Sequence, residues 1–227
     1  MKMRRNFRLA ALICTAVLVV AAGIYYYITA LKVEPEQLIR ETIQSALQAR
    51  GYRYTVTADF NIAGKKQTWI KVKGERTSAD AHFKGMILGT PVEIYQTGTR
   101  SYTLDPVSNK WIILEGTDLD RQQLYMAEID PLSNFRFKGI DSPRLVGTEK
   151  VGRRKCWVVE FRSRKVESKV LDMYWKNVTY RFWVDKRGRI LRKAMATAEN
   201  KNSPGTFLSL IVEFQDFNKR IDINPPQ

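Results

Sequence analysis

The chain has 227 residues, 44% of them hydrophobic and 27% charged, with 38 Lys and Arg against 23 Asp and Glu for a formal net charge of +15. That apolar fraction excludes a disordered tail, and two cysteines exclude a disulfide scaffold. A single histidine and the lack of P-loop, HExxH, GxSxG and dinucleotide fingerprints leave the common zinc, hydrolase and nucleotide chemistries without their residues.

Lys2, Arg4, Arg5 and Arg8 open the chain, and the next charge is Lys32, so residues 9–31 form an uncharged run of about 23 residues. That is enough helix to cross a hydrocarbon core of roughly 30 Å. The positive flank predicts a cytoplasmic tail at 1–8, a transmembrane signal anchor at 9–31 and an extracytoplasmic domain at 34–227, single-pass in the cell membrane. Tyr25, Tyr26 and Tyr27 suit the outer headgroup region. A cleaved secretory signal ending near Ala21-Ala22-Gly23 is the alternative, but the run exceeds the 7 to 15 residues usual for a signal core. Cys14 sits mid-run without the small residues that lipoprotein processing prefers. The predicted topology separates it from Cys156, so the outer domain must be held by a packed core.

Within that domain, Pro35 at a first-turn position, an apolar stripe of Leu38, Ile39, Ile43, Ala46 and Leu47, and Gly51 beyond it predict a helix over 36–50. Residues 52–62 alternate apolar with polar for eleven residues, the pattern of a strand with one covered face. Shorter strands are predicted at 69–72, 79–87, 92–95, 101–104, 111–114, 155–161, 178–184 and 208–214, punctuated by Gly and Asp/Asn turns. A second helical region is predicted within 120–137, split by Pro131, and a third at 166–175. The fold class that follows is α+β, with a large, mostly antiparallel, strongly curved or partly closed sheet.

One helix, a long run of strands, a broken central helix and further strands is an order that resembles the superfamily of LolA-, LolB- and LppX-type lipoprotein carriers and RseB-like sensors. Local stretches pointing the same way are Gly98-Thr99-Arg100-Ser101-Tyr102-Thr103-Leu104-Asp105 with Lys110-Trp111, then Asp130-Pro131-Leu132-Ser133-Asn134-Phe135. Gly147 to Gly152 leading into Cys156-Trp157-Val158-Val159, and Trp183-Val184-Asp185-Lys186-Arg187-Gly188-Arg189-Ile190, are similar. The resemblance implies an unclosed half-barrel whose concave face is plugged by helices and encloses an apolar cavity for lipid or lipoprotein acyl chains. The wall candidates are Tyr54, Val56, Phe60, Phe83, Ile94, Trp157, Phe161, Tyr180, Phe182 and Phe214, with Leu124, Ile129, Leu132 and Phe135 from the plug. The alternative is a filled core serving as a protein interaction module of a membrane complex, because alternating aromatics ordinarily fill cores. The resembled carriers are free or lipid-anchored, whereas a protein anchor favours residence at one membrane, for handover or envelope sensing.

Removing the four leading positives from +15 leaves +11 for the remainder. Lys65, Lys66, Lys71, Lys73 and Lys84 lie on early strands, and Arg153, Arg154, Lys155, Arg162, Arg164, Lys165 and Lys169 on later ones. Anionic lipid of the protein's own membrane or an anionic cell-wall polymer is the partner such a surface would take; nucleic acid is not expected. His82 is expected as a solvated strand residue, Cys156 as a buried thiol without a base, and Glu93, Glu160 and Asp185 as carboxylates with no evident pairing. No catalysis, cofactor or metal is expected.

Overall fold

The computed structural model describes residues 33–115 and 130–226. Helix α1 (Pro35–Leu47) buries Leu38, Ile39, Thr42 and Ala46, one stripe at helical spacing. Eleven strands follow: β1 (Gly51–Ile62), β2 (Lys65–Thr77), β3 (Asp80–Ile87), β4 (Thr90–Thr97), β5 (Arg100–Leu104), β6 (Trp111–Glu115), β7 (Phe137–Val151), β8 (Arg154–Val166), β9 (Trp175–Asp185), β10 (Leu191–Asn200) and β11 (Thr206–Gln215). A 3-10 helix, Pro131–Phe135, precedes β7, and the short helix α2, Lys169–Tyr174, precedes β9. Pro131 starts the 3-10 turn, and the preceding residues of the predicted second helix lie outside the described ones. Ser168 caps α2 by accepting from the Leu171 amide.

All eleven strands form one sheet in the order β6-β5-β4-β3-β2-β1-β11-β10-β9-β8-β7. Each pair is antiparallel, so the chain makes two meanders joined where β1 pairs with β11. β6 and β7 are its two edges, and the sheet is unclosed. The large, open, antiparallel sheet with few helices that the sequence predicts is therefore present. No described helix is long and apolar enough to cross a membrane; the predicted span at 9–31 lies outside the described residues.

The register carries the alternation of β1 across the sheet. Tyr54, Val56 and Ala58 face Phe214, Val212 and Leu210 on one side and Gly74, Val72 and Ile70 on the other. Phe83 and Gly85 continue the row onto β3, and Ile94 onto β4. On the other flank Ala194 and Ala196 lead to Phe182 and Tyr180, then to Val159 and Phe161. These residues share the covered, inner face, and nearly all are buried.

Two strands escape the sequence reading. β7 is an edge strand exposed along most of its length, so it lacks a covered face to write an apolar alternation. β10 does alternate, but with Ala194, Ala196 and Ala198, and alanine is a poor strand signal. The 3-10 helix packs against β10, and these small side chains leave it room.

Candidate functional site

The inner face is built around aromatic rings. Phe135, at the end of the 3-10 helix, is fully buried and meets Tyr180 and Phe182 edge-on at centroid distances of 6.1 and 5.9 Å. Phe161 stacks on Tyr180 at 5.4 Å, and Phe137 joins them at 4.8 Å from Phe161. A second group, Tyr52, Tyr54, Phe214 and Phe217, lies at the start of β1. At the far end Phe60 stacks on Trp69 at 4.0 Å and reaches Trp175 at 5.6 Å. In register, β11 and β10 separate β1 from β9, so the Phe60–Trp175 contact bridges the curved inner face.

Of the predicted wall, Tyr54, Val56, Phe83, Ile94, Leu132, Phe135, Phe161, Tyr180, Phe182 and Phe214 are buried. Phe60 and Trp157 are half-buried, Trp157 with the Lys186 ammonium 5.5 Å over its ring. Leu124 and Ile129 lie outside the described residues. Sequence reasoning missed Tyr52, Val72, Phe137, Trp175 and Val212 of the same face. Tyr52 and Val212 share the period-two register of Tyr54 and Phe214 and are legible by it.

Among the described residues, the Tyr180 hydroxyl on this face is a buried polar atom without a partner. Tyr180 is 0% exposed, and its hydroxyl makes no hydrogen bond. Burial pushes its phenol well above the ordinary tyrosine range, so it stays a neutral donor. A buried unsatisfied hydroxyl costs about 1 to 3 kcal/mol, which an acceptor brought into the interior would relieve.

Recesses formed by described residues touch these rings at Tyr52 and Phe161, one of about 210 Å³ being lined by Phe161 with Arg144, Glu160 and Thr179. Another, of about 510 Å³, is lined by Asp59, Asn61, Lys66, Asn177, Glu199 and Phe207 among others, and a third, of about 380 Å³, by the end of α1 with Tyr52, Arg76, Asp130 and Arg136. In the third, Asp130 accepts from the Tyr52 hydroxyl at 3.3 Å and pairs with Arg76 at 3.5 Å and Arg136 at 3.6 Å.

The predicted basic residues are exposed, in two separated sets: Lys71, Lys73 and Lys84 on β2 and β3 with Lys65 and Lys66 at the β1–β2 turn, and Arg153, Arg154, Lys155, Arg162, Arg164 and Lys165 on β8 and the turn before it. β1, β11, β10 and β9 intervene between β2 and β8, roughly five strand spacings of 4.8 Å. Lys73 sits opposite Lys84 across the β2–β3 ladder, a repulsion that a bound anion would relieve.

The acidic groups are neutralised singly. Glu160, nearly buried, takes Arg144 on one oxygen and Arg181 on the other, with Nε distances of 3.1 and 3.0 Å. Hydrogen bonds from Arg144 and then Arg181 hold its carboxyl below the usual carboxylate range. A depressed folded-state pKa contributes stability above the unfolded value that is lost as pH falls through the folded one. Glu160→Gln is therefore expected to lower stability by about 1 to 2 kcal/mol at neutral pH, given its exposed Arg144 partner, with the difference closing below the ordinary carboxylate range. Urea midpoints of both proteins across pH check it.

Asp185 pairs with Arg192 at 3.2 Å and Arg154 at 3.8 Å. His82 corrects the expectation of a solvated residue: its side chain is 14% exposed, lies between Glu75 at 3.7 Å and Glu93 at 3.0 Å, and stacks on Tyr95 at 4.0 Å. Glu75 and Glu93 sit on opposite ring nitrogens, and no metal-holding group of His, Cys, Asp or Glu occurs among the described residues. Cys156 is buried on the outer face with Val158 and Trp183, and burial, then the Asp185 charge, pushes its thiol up. That environment disfavours a thiolate nucleophile.

No protein-family model matches the sequence. No curated protein matches it either. Among solved structures, LppX, a lipoprotein of Mycobacterium tuberculosis, superposes with a TM-score of 0.58 at 12% identity, over 84% of this chain and 100% of that one. LprF from Mycobacterium bovis does so at 0.55 and 12% identity, over 85% of this chain and 98% of that one. The domain is an unclosed antiparallel half-barrel with a plugged inner face. Its fold is like that of LppX and LprF, in keeping with the LppX-type resemblance of the sequence.

Proposed function

We propose that this chain is a membrane-tethered, extracytoplasmic, non-catalytic domain that takes a lipid or lipoprotein acyl chain against the inner face of its half-barrel, for handover or envelope sensing. The observation that carries this reading is the aromatic inner face of an open sheet with a stranded hydroxyl, Tyr180, among its rings. Acyl chains would be held by apolar burial at roughly 25 cal/mol per Å². An ester or amide carbonyl at the head of such a chain is the acceptor Tyr180 lacks. The fold shared with two mycobacterial proteins, one of them described as a lipoprotein, supports an envelope setting.

Native mass spectrometry of the full chain purified in a mild detergent tests this: acylated species should copurify with a fixed stoichiometry, and a clean apo protein would sink the reading. Tyr180→Phe is expected to raise thermal stability, by about 1 kcal/mol, while reducing retained ester-containing lipid. A variant that loses stability and keeps its lipid would show that the hydroxyl is satisfied some other way.

A second reading is favoured by the mutual packing of Phe135, Phe137, Phe161, Tyr180 and Phe182: the core is filled and the domain is an interaction module of a membrane complex. The same mass measurement separates the two.

A further inference from the structure

The two ends of the half-barrel differ in what their turns expose. At the end where β1 finishes and β11 begins, Met173 is 63% exposed, Tyr174 49%, Phe207 49% and Ile62 36%. Backbone pairing makes them neighbours. Ile62 faces Thr206, Phe207 faces Glu199, Asn200 faces Trp175, and the Lys201 amide donates to the Tyr174 carbonyl at 2.9 Å. The other hairpin turns at this end also carry bare apolar side chains, Leu88 at 66% and Val107 at 92%. At the opposite end the hairpin turns are Ser78-Ala79, Gly98-Thr99, Gly152-Arg153 and Lys186-Arg187-Gly188-Arg189, with no exposed large apolar residue among them.

Large apolar side chains exposed together at strand ends, a short helix and turns of one end of the sheet are costly in water and common where a surface is covered. Here they are interleaved with cations. Lys65, Lys66, Lys176 and Lys201 surround the four apolar residues and are all exposed. Lys66 and Lys176 pair with Asp59 at 2.9 Å and Glu199 at 3.4 Å, each an exposed ammonium on a carboxylate that is itself 6% and 24% exposed respectively. Apolar tips at headgroup depth ringed by lysine ammoniums complement the surface of an anionic bilayer, where the rings bury and the ammoniums meet phosphate.

We propose that this rim, centred on Ile62, Met173, Tyr174 and Phe207, docks on an anionic phospholipid surface, with the tips entering the headgroup layer. It is distinct from the basic face of β2 and β3, where Lys71, Lys73 and Lys84 have little exposed apolar surface beside them except Met86. The rim needs a membrane within reach but no lipid inside the barrel.

Hydrogen–deuterium exchange of the full chain mixed with vesicles tests it, using phosphatidylcholine alone against phosphatidylcholine with phosphatidylglycerol. Amides at 63–66, 172–174 and 201–205 are expected to exchange roughly fivefold or more slowly with the anionic vesicles, reversibly with salt. Turns at 78–79 and 186–189 should be unchanged. The pair Met173→Ser with Phe207→Ser should abolish the slowing while β9 to β11 keep their core protection, which certifies the fold. Equal exchange with both vesicles, slowing centred on β2 and β3 instead, or slowing that follows protein concentration without lipid, as for two copies, each overturns the proposal. Copurifying acyl chains speak to the barrel interior alone, so the two readings can fail separately.

Discussion

Phe135→Ala is expected to cost roughly 3 to 5 kcal/mol, the range for a buried ring truncated in a packed core. Phe135 is 0% exposed and is the only contact the 3-10 helix makes by a ring to both Tyr180 and Phe182 among the described residues. Its removal leaves a void beneath Pro131–Phe135 that Ala194 and Ala196 are too small to fill. Set against about 5 to 15 kcal/mol for a whole domain, this lowers the melting temperature by roughly 6 to 20 °C. Calorimetry of the full chain measures it, and a loss under 1 kcal/mol would mean that the plug is not seated on this ring. Because the void is apolar and lies on the inner face, the variant should also bind more of a hydrophobic dye than the parent.

Gly85→Ala is expected to be comparably damaging for a different reason. A Cβ at Gly85 would lie 2.2 Å from the Lys71 carbonyl oxygen and 2.7 Å from the Val72 Cα, and its φ of +156° is one that side chains rarely adopt. Both obstacles are backbone, so no rotamer relieves them. Overpacking and backbone strain at about 1 to 3 kcal/mol each give roughly 2 to 6 kcal/mol, lost as β2 and β3 separate. Gly74, one register position along, is filled instead by the Tyr54 ring, whose Cζ lies 2.4 Å from where a Cβ would stand. The two glycines thin the inner face where the sheet must curve. Denaturant midpoints of Gly85→Ala against the turn variant Gly98→Ala, whose φ of +55° is also positive but whose Cβ meets nothing within 4 Å, separate the steric clash from backbone strain alone. Equal losses in the two would sink the argument.

How much of this was legible beforehand varies with the element. β1 wrote its covered face in full because one side is buried along nearly its whole length, and the register then fixed which residues of β2, β3, β10 and β11 it meets. The wall residues Phe161, Tyr180 and Phe182 follow the same rule. Phe137 and Trp175 were not, because each stands at the first residue of a strand, before any alternation can establish itself. His82 departs from its solvated expectation because its two carboxylates come from β2 and β4, at Glu75 and Glu93, a neighbourhood that only pairing across three strands creates. The exposed residues around Phe207 belong to strand ends and a helix far apart in the chain, and nothing local to any one of them announces a patch.

The sequence by itself determined the material: an apolar leading run, a helix stopped before Gly51, and a succession of two-faced strands turned back at Gly and Asp/Asn, which commits the chain to a large antiparallel sheet. Those signals are local, set by side-chain periodicity and backbone preference within about ten residues. Only the tertiary structure decided that β1 would pair with β11, that β6 and β7 would not pair with each other, and that Phe135 would sit on Tyr180 while leaving its hydroxyl stranded. Each of those joins residues tens of positions apart, and such contacts are selected by the shape and volume of the assembled inner face, which no single segment encodes.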